Sequence, residues 1–125
     1  MKALLDTHAA VAFWENRPGA FGPESQGLIE RATLLCSPVA LLELGYLFEV
    51  GKLNVAPLRI WGDLLGRLEV QPADCPILDL AMAAIDLSWT RDPFDRLIVA
   101  TAAILGTRLI TRDRLIRAHF GDACW

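Results

Sequence analysis

The apolar positions of this chain change period repeatedly. KALLD is a short continuous apolar run closed by an aspartate, and it predicts a buried strand over residues 3–5 ending at Asp6. THAAVAFWE then takes helical spacing, with Ala9, Ala12 and Phe13 on one face. NRPGAFGPES is a Pro- and Gly-rich loop, followed by a short helix over residues 23–32 and a second strand at TLLC. Ser37-Pro38 has the form of an N-cap followed by proline at the first helical position, which starts a helix reaching about Val50 and stopped by Gly51. APLRIWGDLLGRLE predicts a further helix, weakened by Gly62 and Gly66, and LEVQP a third strand. CPILDLAMAAIDL predicts an amphipathic helix with Leu78, Ala81, Met82 and Ile85 on the core side and Asp79 and Asp86 on a solvated face. Asp92-Pro93 starts another helix that Gly106 ends; RLIT is a strand, RDRLIRAHF a short helix and ACW a last strand.

Strands alternating with helices predict an α/β sandwich with a mainly parallel sheet. The 125 residues predict one domain, residues 1–125, with no internal repeat or linker. An apolar fraction of 54% suggests a filled core and, in addition, a surface covered by a partner. The longest uncharged apolar run, residues 97–106, falls far short of the roughly 18 residues a membrane span requires. Asp6 and His8 interrupt the apolar start, and no small-residue cleavage site follows, so the expected location is cytoplasmic. Cys36, Cys75 and Cys124 are odd in number, widely spaced and form no CxxC pair; free, buried thiols are expected rather than a disulfide framework or a zinc site.

The formal charge of −3 does not suggest a nucleic-acid partner, but its distribution is uneven. Residues 91–117 carry six arginines (Arg91, Arg96, Arg108, Arg112, Arg114 and Arg117) against three aspartates. Such a cluster can contact phosphates on an acidic protein, but charge alone favours a solvated helix face with ordinary ion pairs. Of these, Arg91, Arg96, Arg112 and Arg114 are the candidate phosphate contacts.

Four acids stand at positions where structure alone would not place them. Asp6 and Asp113 follow strands, and ligands of open parallel sheets bind beyond the carboxyl ends of strands. Glu43 shares an apolar helix stripe with Val39, Tyr46 and Leu47, and Asp95 faces Ile98 and Val99, so both need a cationic partner. Purely structural roles are open to single acids as well: Asp6 can cap the helix beginning near Thr7, Asp92 is a good N-cap, and Asp95 can complete a capping box or pair with Arg91 or Arg96. If the four converge, their mutual repulsion is relieved by a divalent cation. Mg²⁺ or Mn²⁺ prefers oxygen ligands and activates water toward phosphoryl groups.

LLDTHAAVAFW, SPVALLELGYLFEVGKL, DPFDRLIVATA and LITRD, in that order, resemble the PIN-domain ribonucleases. Among these they resemble the VapC toxins of bacterial type II toxin–antitoxin pairs. The resemblance implies a PIN-like three-layer α/β/α sandwich and a Mg²⁺- or Mn²⁺-dependent endoribonuclease cutting structured RNA such as tRNA or rRNA. It makes Asp6, Glu43, Asp95 and Asp113 the metal-holding, catalytic carboxylates, with Thr7, Asp92 and Thr111 accessory. It also implies a homodimer and a VapB-like antitoxin whose tail presents an arginine to the site. The chain departs from the subgroup where a tryptophan commonly precedes the helix glutamate, since Leu42 stands there, and in the early Pro38. A haloacid-dehalogenase-like phosphatase would need an aspartate where His8 stands. The alternative of another class is a non-catalytic PIN-like module that binds RNA or docks a partner. His8 is either a general base or a packed histidine, and His119 a surface or structural one.

Overall fold

The computed structural model describes residues 1–125. The elements, in chain order, are β1 (Lys2–Leu5), α1 (Thr7–Glu15), α2 (Pro23–Arg31), β2 (Thr33–Cys36), α3 (Pro38–Glu49), α4 (Pro57–Gly66), β3 (Gln71–Pro72), α5 (Ile77–Ile85), α6 (Pro93–Leu105), β4 (Arg108–Ile110), α7 (Arg114–His119) and β5 (Ala123–Cys124). The five strands form one sheet in the order β3-β2-β1-β4-β5, and every neighbouring pair is parallel.

Strand alternation divides the core between two faces. Ala3, Leu5, Leu34 and Cys36 pack with α1–α4 residues such as Ala10, Leu28, Leu44, Ile60 and Leu64. Leu4, Leu35 and Leu109 point the other way, into Ile98, Val99 and Ala102 of α6 and Ile116 of α7. Helices cover both faces, giving the three-layer α/β/α sandwich that the sequence predicts. The three cysteines are free and buried, and no helix is long and apolar enough to cross a membrane.

The helix boundaries follow local chemistry. The Ser37 hydroxyl accepts from the Val39 N–H at 3.1 Å beside Pro38 at the head of α3. Gly106 ends α6 in the left-handed region, at φ 63°, where a Cβ would be strained. β3 is shorter than LEVQP suggests and lies at the sheet edge, where Pro72 removes no shared hydrogen bond.

α5 departs from expectation. Its buried residues are Leu80 and Ala84, with Ala83 and Leu87 half-buried against α6. Leu78, Met82 and Ile85, expected in the core, are 62–70% exposed, and Ala81 is exposed as well. The segment is apolar on nearly every side, so its periodicity does not select a face. Packing against α6 selects the 80–84 stripe and turns the other outward.

The sheet order sets the place for a site. From β1 the chain moves outward to β2 and β3 on one side, then crosses to β4 and β5 on the other. The switch point therefore lies between β1 and β4, and a crevice opens beyond their carboxyl ends. Asp6 follows β1 there, its N–H donating to the Ile110 carbonyl of β4 at 3.1 Å.

Candidate active site

A cavity of about 560 Å³ opens at that crevice. Asp6, Glu43, Asp92, Asp95 and Asp113 all line it, so the fold brings together the four acids singled out in the sequence and adds Asp92. Each arrives on a different support. Asp6 caps α1, accepting from the Ala9 N–H at 2.7 Å. Asp113 caps α7, accepting from the Ile116 N–H at 3.0 Å. Glu43 projects from the second turn of α3 and is only 8% exposed. Thr7 is fully buried, and its hydroxyl donates to Oε1 of Glu43, linking the first turn of α1 to α3. The Thr111 hydroxyl accepts from the Asp113 N–H at 3.1 Å, and its side chain stands near enough to Asp6 to favour that carboxylate's charged form.

The two aspartates at the head of α6 divide their tasks. Oδ1 of Asp92 accepts from the N–H groups of Phe94 and Asp95 at 2.8 and 3.2 Å. The reciprocal arm of a capping box is absent from Asp95. Instead the Asp92 N–H donates to the Thr90 hydroxyl at 3.3 Å, which leaves the Asp95 carboxylate directed at the cavity. Thr90 carries no periodic signal in the sequence, and its part emerges only from the loop geometry.

The cavity is electrostatically loaded. Burial first, and then repulsion from Asp92, Asp113, Glu43 and Asp6, pushes Asp95 up to about 7. Burial also raises Glu43 against the Thr7 hydrogen bond and His8, and it raises Asp6 against the Thr111 side chain and the Ala9 hydrogen bond. None of the five acids forms a salt bridge; the chain's three pairs are Arg17–Glu15, Arg67–Asp63 and Arg108–Glu24. The donors are hard carboxylate oxygens with the Thr7 and Thr111 hydroxyls beside them, which suits Mg²⁺ or Mn²⁺ and not a soft metal. As the side chains stand, no three of the acids converge at coordinating distance, since Asp6, Asp92 and Asp113 each hold a helix cap and Glu43 holds Thr7.

The arginines separate. Arg112 lines the cavity, whereas Arg91, Arg96 and Arg114 do not. Arg96 instead donates from Nε to the Thr90 carbonyl at 2.8 Å, and Arg108 is held by Glu24 and by the Asp122 carbonyl. Arg17, Lys52, His8 and Trp125 also line the cavity. Arg17 and Lys52 come from loops after α1 and α3, where no periodic pattern flags them. His8 is exposed and makes no hydrogen bond to protein groups, unlike a packed histidine, while His119 lies away from the cavity and stacks on Trp89 with centroids 5.0 Å apart.

A parallel sheet whose switch-point crevice collects carboxylates from β1, α3, α6 and the β4–α7 turn defines a class. The chain belongs to the PIN-domain family, which it matches over residues 3–119. Within it the chain is VapC-like: it is 33% identical over 118 residues to Ribonuclease VapC22 of Mycobacterium tuberculosis, covering 93% of this chain and 90% of that protein. Solved structures share the fold. A toxin–antitoxin complex from Klebsiella pneumoniae superposes with a TM-score of 0.70 at 20% identity, covering 98% of this chain and 96% of that one. VapBC2 from Rickettsia felis, bound to a DNA fragment from its promoter, gives 0.65 at 20% identity, over 94% and 92%.

Proposed function

We propose that this chain is the toxin of a VapBC-type pair, a Mg²⁺- or Mn²⁺-dependent endoribonuclease that cuts structured RNA, tRNA or rRNA, and is held inactive by a cognate VapB-like antitoxin. The observation that carries the reading is the cavity at the switch point, which Asp6, Glu43, Asp95 and Asp113 all line without a cationic partner. The ribonuclease named at 33% identity over most of the chain supports the same activity.

In this mechanism Asp6, Glu43, Asp95 and Asp113 would hold the ion. When bound, a divalent cation activates water at neutral pH and offsets the charge that develops on a phosphoryl group. The chain's own residues keep the acids in position for it. Thr7 fixes the rotamer of Glu43, and Thr111 binds the Asp113 N–H beside Asp6. Asp92 holds the first turn of α6 so that Asp95 stays aimed inward. Arg112, on the rim, supplies a guanidinium for a phosphate oxygen. An antitoxin arginine entering the same carboxylates would compete with the ion.

The reading includes a homodimer. The outward stripe of α5, with Leu78, Met82 and Ile85, is the apolar surface that a second copy would cover.

The test is incubation of total cellular RNA with purified, antitoxin-free protein in Mg²⁺ or Mn²⁺ and in chelator, beside Asp6→Asn. Discrete fragments that require both metal and Asp6 are expected, and mapping their ends names the substrate. A folded, antitoxin-free sample that cuts no RNA would overturn the reading in favour of a binding module.

A further inference from the structure

The acidic cavity continues past its carboxylates. Arg17, Ala20, Arg112 and Trp125 line it and also line a second, more open hollow of about 420 Å³, walled by the loop over residues 18–22. Arg112 is exposed and has no carboxylate partner, and Arg17 meets only Glu15, in an exposed pair that a phosphate can replace. Trp125 is half-exposed between the two hollows. Phe21 packs against it with ring centroids 5.2 Å apart and planes tilted by 41°. Gly22 lies so close that a Cβ there would stand 2.7 Å from the Trp125 carbonyl carbon. A second ring and a close backbone contact therefore hold this aromatic in place before anything binds.

A carboxylate-lined cleft repels a polyanion, so RNA entering it needs cations immediately beside the acids. Two guanidiniums lining the same hollow as a fixed indole, continuous with the cleft, suit a phosphate and an unstacked base together. A base inside a duplex presents no free face to such a ring.

Building on the ribonuclease reading, we infer that Arg17, Arg112 and Trp125 form a subsite for one unpaired nucleotide flanking the scissile phosphate, with the guanidiniums on its phosphate and the indole on its base. The cut then falls beside an unpaired position, and the subsite contributes to affinity more than to the chemical step.

Anisotropy of fluorescein-labelled unpaired heptanucleotides with antitoxin-free Asp95→Asn protein in Mg²⁺ tests this without cleavage. Arg17→Ala and Arg112→Ala are each expected to weaken binding about tenfold and to lower the slope of log affinity against log salt by about 0.7. Trp125→Leu weakens binding about tenfold for the intact oligonucleotide. It has no effect when an abasic site occupies the flanking position, located by scanning the abasic site along the strand. Trp125→Phe, which keeps an aromatic on Phe21, retains most of the affinity. Three results would overturn the subsite: variants that bind like the parent, a Trp125→Leu loss equal for every abasic oligonucleotide, or a parent that ignores RNA while holding an arginine-bearing antitoxin peptide through these residues. Binding in the expected pattern by a parent that cuts nothing with either metal would keep the subsite and refute the catalysis.

Discussion

Asp95 is held at a cost. In metal-free protein its folded-state pKa stands near 7 while its ordinary value is 3.8, so between those values the folded state binds the extra proton. Stability from this group is full below about pH 4 and is lost as pH rises through about 7. Asp6 and Glu43 shift in the same direction. In chelator, thermal melts should therefore show the parent losing stability from pH 5 to pH 8, and Asp95→Asn losing less and melting higher at pH 8. A parent that gains stability over that range would contradict the acidic-pocket account. Asp92 has a different task, and its substitutions should separate cap from site: Asp92→Asn retains the cap, whereas Asp92→Ala costs about 1 kcal/mol in urea unfolding. At this scale much was legible. Asp6, Glu43, Asp95 and Asp113 stand out because each is an acid at a strand end or on an apolar stripe. Arg17, Lys52 and Thr90 were not legible, because loop residues gain their neighbours only from the fold.

Between elements, one close contact and one uncovered surface carry predictions. Gly22 meets Trp125 so closely that a Cβ would lie 2.7 Å from its carbonyl carbon and 2.9 Å from Cδ1. Gly22→Ala should therefore displace Trp125 and destabilise the domain by about 1–3 kcal/mol, visible as a lower urea midpoint with altered tryptophan fluorescence. A variant with the parent's midpoint and spectrum would show that the contact yields freely. The outward stripe of α5 makes a separate prediction. Leu78→Asp with Met82→Asp should convert the proposed dimer into a folded monomer, measured by light scattering and circular dichroism, and an unchanged mass would remove α5 from the interface. The sequence could not orient this helix, since ILDLAMAAI is apolar on almost every side. Elsewhere the local signals sufficed: Ser37-Pro38 and Asp92-Pro93 mark helix starts, and Gly51 and Gly106, both at positive φ, mark stops.

For the whole molecule, topology converts scattered acids into one site. With β1 at the centre of the sheet and the order reversing beside it, Asp6 and Asp113 meet at the switch point, and α3 and α6 deliver Glu43 and Asp95. Strand alternation made the α/β class readable, but strand order is a long-range property that the residues do not state locally. The motifs shared with the PIN-domain ribonucleases implied the three-layer sandwich, and the strand order itself comes only from the fold. The central claim is that this pocket cuts RNA with a bound divalent ion. The most direct measurement is the single-turnover cleavage rate of an RNA substrate by antitoxin-free parent and by Asp95→Asn, in Mn²⁺ and in chelator, with circular dichroism on each sample. Cleavage by the parent in Mn²⁺ only is predicted, with a loss of about a thousandfold or more in a folded Asp95→Asn, corresponding to at least about 4 kcal/mol of barrier. Cleavage that persists in chelator, or that survives in Asp95→Asn, would contradict it.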